Sequence, residues 1–218
     1  MYVWFLQKAA GVRLLALDWD LTVLNTHTRG RWINSSVDLA AHVRPAMRNL
    51  ILAAMEAQLP VSIVTFSTQN QLIQDTLQHA LHPFDASSIF VRCSQEPNQA
   101  HSSFCQVNEQ LPVPGYRRMP SMISSNFASL HQNQNQQHQN QNQNQRVGES
   151  PGKMPHLVSA ANNLVDFYGS QPQANQIVLI DDDGQNIAKA AQHGIVAVKM
   201  DPFRPNLCLR SLATLLSS

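Results

Sequence analysis

The chain of 218 residues is poor in cysteine, in charge and in long apolar runs. Its three cysteines, Cys93, Cys105 and Cys208, are scattered, odd in number and nowhere spaced as CxxC. That argues against a disulfide framework or a thiolate zinc site and points to a reducing compartment. Charged residues make up 13% of the chain, against about 25% in an average soluble domain. The formal net charge is +1, so no overall field steers the chain toward nucleic acid or a membrane surface. No stretch approaches the roughly 20 apolar residues of a membrane span. The apolar opening, Tyr2 to Leu6, is too short and lacks the basic flank of a secretory signal. It reads as a packed tail or short extra strand, and the expected location is cytoplasmic.

The deficit in charge traces to one segment. Residues 131–145 are made only of His, Gln and Asn, and apolar periodicity is weak throughout 94–150. Such composition buries too little apolar surface to offset the entropy of ordering. The expectation is a mostly disordered, low-complexity insertion over 94–150, set into one core domain formed by 1–93 and 151–218. His131 and His138 inside the amide tract are read as part of the repeat rather than as metal ligands.

Outside that segment, strand and helix patterns alternate. A first strand is expected over 12–17, with Leu14 to Leu17 an apolar run of the kind a parallel strand buried on both faces shows. A polar connection over 20–44 follows. Pro45 then suits a first helical turn, and Met47, Leu50, Ile51 and Ala54 recur at helical spacing. Further strands are expected over 61–66, 88–91, 177–180 and 195–198. Helices are expected over 69–81, 157–168 (closed by Gly169), 184–193 and 207–216. The pattern predicts an α/β fold, a doubly wound parallel sheet of about five strands with right-handed crossovers.

The residues with chemistry to offer sit where these strands end. Asp18-Trp19-Asp20-Leu21-Thr22 ends the first strand and Thr65 follows the core of the second. Lys153 opens a helix after the insertion, and Asp181-Asp182-Asp183 ends the fourth strand, with Asn186 after it. In open α/β sheets this edge carries the ligand site. Carboxylates gathered there without a cation would repel and raise one another's pKa, so a purely structural role is a poor explanation of them.

In order and placement these features resemble the haloacid dehalogenase (HAD) superfamily, in its phosphatase branch with a minimal cap or none. The resemblance covers about two thirds of the chain and leaves out the N-terminal peptide and the insertion. It implies that Asp18 is the nucleophile of a phosphomonoester hydrolase working through an aspartyl-phosphate. Asp20 would be its general acid and base, and Thr22 would hold the turn. Thr65 and the backbone N–H of Phe66 would bind phosphate oxygens, with Ser67 a weaker claimant. Lys153 would bind substrate phosphate and assist catalysis as a point charge beside Asp18.

The resemblance further implies an Mg²⁺ ion held among Asp18, Asp20, Asp181 and Asp182, with Asn186 in support. Asp183 competes for that role if the strand ends one residue later. The implied partner is a phosphorylated substrate, small molecule or macromolecule, with neither nucleic acid nor membrane indicated. Two other readings stay open: a catalytically idle HAD-like binding module, and phosphotransfer to an acceptor other than water. Arg29, Arg31 and Trp32 are read as a solvated loop before they are read as phosphate ligands or a stacking surface. The Trp19 ring is expected in the core.

Overall fold

The computed structural model describes residues 11–94 and 151–215. The expectations for the N-terminal peptide and for the amide-rich insertion beyond Ser94 lie outside the described residues.

Five strands, β1 (Leu14–Leu17), β2 (Val61–Val64), β3 (Phe90–Arg92), β4 (Ile177–Asp181) and β5 (Val196–Lys199), form one sheet in the order β3-β2-β1-β4-β5. All its pairings are parallel. Seven helices accompany them among the described residues: α1 (Ser36–Ala40), α2 (Pro45–Glu56), α3 (Asn70–Leu81), α4 (Met154–Asn162), α5 (Val165–Tyr168), α6 (Gly184–Gln192) and α7 (Pro205–Leu215). Both sequence blocks therefore contribute to a single sheet, with β1 to β3 before the unassigned segment and β4 and β5 after it.

β1 is the central strand and its four residues are fully buried, because the sheet is covered on both faces. Leu15 and Leu17 face one core with Met47, Ile51, Ile73, Leu77 and Leu212, from α2, α3 and α7. Leu14 and Ala16 face the other with Leu157, Ala160 and Ala190, from α4 and α6. An apolar run with no polar alternation is what such a position demands. Each leucine buried there contributes about 1.5–3 kcal/mol.

The strand order reverses direction between β1 and β4. From β1 the chain moves outward through β2 to β3, and from β4 it moves the other way to β5. The loops leaving the C-terminal ends of these two neighbours consequently diverge and open a crevice between them, the usual ligand position in such sheets. The register settles what lines it. Leu14 pairs with Ile177 and Leu17 with Ile180, so the next residues along are Asp18 and Asp181, and Asp18 N–H donates to the Ile180 carbonyl at 2.9 Å. A one-residue slip would turn every side chain of β1 to the opposite core, so the packing that fixes the register also brings the two aspartates together.

Element ends differ from expectation by a residue or two, as ends do. Two differences are larger. The connection expected over 20–44 contains a helix, α1, started by a reciprocal cap between Ser35 and Asp38. The helix expected over 157–168 is two helices, α4 and α5, broken after Asn162. Asn162-Asn163 supplies amide side chains that compete with the backbone for hydrogen bonds and weaken a helix interior. Pro155 in the first turn of α4 moves its start back to Met154, directly after Lys153. Gly169 closes α5 in the left-handed conformation (φ 70°), its N–H donating to the Val165 carbonyl at 2.7 Å.

Candidate functional site

Asp18 leaves β1 buried, 5% exposed. The chain then makes one wide turn in which Val23 N–H reaches the Asp18 carbonyl (3.2 Å) and Leu24 N–H the Trp19 carbonyl (2.9 Å). Leu21 sits in this turn at φ 57°, a left-handed conformation that costs a side-chain-bearing residue of order 1 kcal/mol or more. It is held from outside by Arg44, whose Nε donates to the Leu24 carbonyl (3.0 Å) and whose Nη2 donates to that of Leu21 (3.2 Å). Burial lowers the Arg44 pKa, with the Asp182 carboxylate opposing. The turn sends the Trp19 ring into the core, 1% exposed, as expected, and leaves Asp20 at the crevice mouth.

Lys153 enters from the opposite side. Gly152 before it has φ +60°, and a Cβ there would lie 3.0 Å from Asn186 Oδ1. Glycine is thus required twice over, by conformation and by space. The Lys153 side chain is 4% exposed. Its ammonium is paired with Asp18 and lies 3.0 Å from Asp181 Oδ2. Asp181 is fully buried and well bonded: its Oδ2 also accepts from Asn186 Nδ2 (3.2 Å), and its Oδ1 accepts from Asp183 N–H (2.8 Å). Asp182 is half-buried and reached by Thr22 Oγ1 at 3.5 Å. The Asp183 carboxylate stays outside this cluster. Its Oδ1 accepts from Gln185 N–H (2.8 Å) and caps α6.

Asp18, Asp181 and Asp182 each present a carboxylate oxygen within 4.8 Å of the others. The cluster can hold a metal ion. Three carboxylates against one ammonium leave two negative charges uncompensated, and the donors are all hard oxygens, which suit a hard divalent cation. The acid groups register the strain. Burial, opposed by Lys153 and reinforced by Asp181, holds the Asp18 carboxyl well above its ordinary value of 3.8. Burial raises Asp181 likewise, opposed by Lys153 and its hydrogen bonds.

The carboxylate of Asp20 is not one of the three. Its Oδ1 accepts from Thr28 N–H (2.8 Å) and its Oδ2 from Thr28 Oγ1 (3.1 Å), with His27 Nδ1 3.3 Å from Oδ2. It is thereby held beside the cluster instead of within it, 19% exposed. Thr65 is buried past the end of β2, its Oγ1 accepting from Ser67 N–H at 3.1 Å. Ser67 Oγ is committed to the turn into α3, accepting from Gln69 N–H at 3.2 Å. Phe66 between them is 51% exposed, its ring centroid 5.5 Å from Lys153 Nζ.

Arg29 and Arg31 are exposed. Trp32, one of the residues considered for stacking on a ligand, instead packs against the core and lies edge-on to His42. Gln69 bridges it to α3, accepting from Trp32 N–H (2.6 Å) and donating to its carbonyl (3.0 Å). Arg44, Thr28 and Gln69 are contributors that motif spacing does not reveal. The only sequence signal for any of them is the density of hydroxyl residues around Thr26 and Thr28.

Comparison of the chain with protein-family models gives no match, and comparison with curated proteins gives none. No helix among the described residues is long and apolar enough to cross a membrane.

Proposed function

We propose that this chain is a Mg²⁺-dependent phosphomonoester hydrolase of the haloacid dehalogenase type, working through an aspartyl-phosphate on Asp18. The observation that carries the reading is the buried Lys153 ammonium paired with Asp18 and Asp181 at the sheet's switch point, with Asp182 completing the acidic cluster. A salt bridge kept only for stability rarely combines an excess of carboxylates with so little solvent, since burying unpaired charge is costly. Clusters of this kind are characteristic of reactive sites.

In this mechanism a carboxylate oxygen of Asp18 attacks phosphorus and the bond from phosphorus to the ester oxygen breaks. Asp20 delivers its proton to that departing oxygen, then withdraws one from the water that cleaves the aspartyl-phosphate. Inorganic phosphate leaves and both aspartates return to their starting states. Thr28 keeps Asp20 aimed, and Lys153 stabilises ionised Asp18 and the charge of the transferring group. Thr65 and the Phe66 N–H would take phosphate oxygens. Asp18, Asp181 and Asp182 would hold Mg²⁺, which when bound supplies charge neutralisation for an anionic nucleophile meeting an anionic substrate.

Two tests follow. Phenyl phosphate should be hydrolysed with Mg²⁺ and not after chelation, and Asp20→Asn should lower kcat by about 10²–10⁴-fold, the range of general acid–base contributions. Absence of Mg²⁺-dependent turnover across a panel of phosphomonoesters would refute the reading.

The second test needs no turnover. Because the carboxyls of Asp18 and Asp181 are raised in the fold, the metal-free protein holds their protons more tightly folded than unfolded. This contribution is complete below the ordinary carboxylate pKa of 3.8 and is lost as pH rises through the raised folded values. A cation requires the ionised forms, so Mg²⁺ at a hundredfold excess over its Kd at pH 8 should stabilise by about 2.7 kcal/mol there, and the same concentration should stabilise less at pH 5. Thermal unfolding with Mg²⁺ and with chelator reads this directly; equal curves at both pH values would exclude the metal site.

A further inference from the structure

The ring of Phe66 has no assigned role in that chemistry, which uses only its backbone N–H. It is a large apolar side chain left 51% exposed directly after the buried Thr65. Its centroid lies 5.5 Å from Lys153 Nζ, the atom paired with Asp18. The ring is also braced. His156, in the first turns of α4, meets it edge-on with centroids 5.7 Å apart and planes at 69°, and His156 Nε2 lies 3.5 Å from Ser94 Oγ. A braced aromatic face loses little conformational entropy when something packs on it.

The histidine that braces the ring adds no charge of its own. His156 is half-buried, and burial, then Lys153 and Arg92, hold its pKa below 6.5, so it brings no second cation to this rim at neutral pH. Trp32, the other aromatic of the crevice mouth, is packed against the core.

We infer that the Phe66 ring is the platform on which the substrate's leaving group stacks, and that the preferred substrates are aryl phosphomonoesters, with the aromatic ring bonded directly to the ester oxygen. The inference rests on the phosphomonoester reading and deepens it. Reach favours the aryl ester: the Phe66 ring lies 5.5 Å from the ammonium paired with Asp18, a span that suits a ring bonded directly to the ester oxygen, whereas a sugar between phosphate and base would set a nucleobase farther out. Chemistry agrees, because the bond from phosphorus to an aryl oxygen breaks to release a phenol, with Asp20 supplying its proton.

The experiment compares kcat/KM for phenyl phosphate and butyl phosphate, with Mg²⁺, in the wild type and in Phe66→Ala, Phe66→Leu and Phe66→Tyr. The quantity read is the phenyl-to-butyl ratio, from which intrinsic leaving-group reactivity and any common loss at the backbone N–H cancel. Removing the stacking face should lower the ratio about tenfold in Phe66→Ala and Phe66→Leu, and Phe66→Tyr should retain it. Near-ultraviolet circular dichroism establishes that each variant is folded. A ratio unchanged in Phe66→Ala, or restored as well by leucine as by tyrosine, overturns the platform while leaving the hydrolase reading intact. Failure of the wild type to hydrolyse either ester overturns both.

Discussion

Asp18→Asn is expected to abolish turnover while leaving the protein folded and no less stable, because the carboxylate proposed as nucleophile is one the fold accommodates at a cost. Asp18 is 5% exposed, and burial holds its carboxyl well above 3.8. An amide of the same shape removes that burden and keeps a polar atom for Lys153, whose ammonium still has Asp181 at 3.0 Å. Loss of a covalent nucleophile costs on the order of 10⁴-fold or more. Phenyl phosphate turnover with Mg²⁺, paired with urea unfolding in chelator, measures both halves. An active Asp18→Asn would remove the nucleophile from the mechanism. A protein destabilised by several kcal/mol would mean that Asp18 is chiefly structural.

Lys153→Met should do the opposite to stability and the same to activity. The lysine is the one cation paired with Asp18 and Asp181 among the described residues. Removing it strands two buried carboxylates, and breaking a buried pair from one side typically costs about 3–5 kcal/mol. The deficit should depend on pH in a stated direction. Both carboxyls are raised in the wild type with Lys153 opposing the shift; without it they rise further and the folded state binds their protons more tightly. The loss should therefore be largest at pH 8 and shrink as pH falls through the raised folded values, where protonation removes the stranded charges. Urea unfolding of wild type and variant at pH 8 and at lower pH decides it. A loss below about 1 kcal/mol at pH 8 would show that the pair is worth no more than a surface salt bridge. The two variants thus move stability in different directions from the two ends of one ion pair, which is expected where a site is built for reaction at some cost to the fold.

Much of this arrangement is legible in the sequence, for identifiable reasons. A strand buried on both faces reads as a continuous apolar run, so Leu14 to Leu17 and Ile177 to Ile180 announce themselves, and the abrupt change to aspartate marks the C-terminal sheet edge. The α/β architecture and five-stranded parallel sheet follow from the alternation alone. The choice among Asp181, Asp182 and Asp183 does not: β4 runs one residue beyond the expected strand, to Asp181, and still Asp183 stays out of the cluster. The fold decides it by using Asp183 as the cap of α6.

Contacts made between loops are equally invisible to local pattern. Nothing near Asp20 signals that Thr28 will hold its carboxylate, nor does anything near Arg44 signal the carbonyls of Leu21 and Leu24. Trp32 misleads for a related reason: a tryptophan in a polar loop looks available to a ligand, yet its ring packs inward while its backbone is bridged by Gln69. Phe66, one residue past Thr65, takes the exposed position.

The central claim is the covalent one, that phosphorus passes through Asp18. Wild-type protein mixed with phenyl phosphate and Mg²⁺, quenched in acid within the first turnovers and digested, gives a peptide containing Asp18 whose mass can be measured. The account predicts a phosphorylated Asp18, discharged by hydroxylamine, more abundant in Asp20→Asn and missing in Asp18→Asn. Turnover with no phosphorylated aspartate in either the wild type or Asp20→Asn, or label carried by a residue other than Asp18, would contradict it.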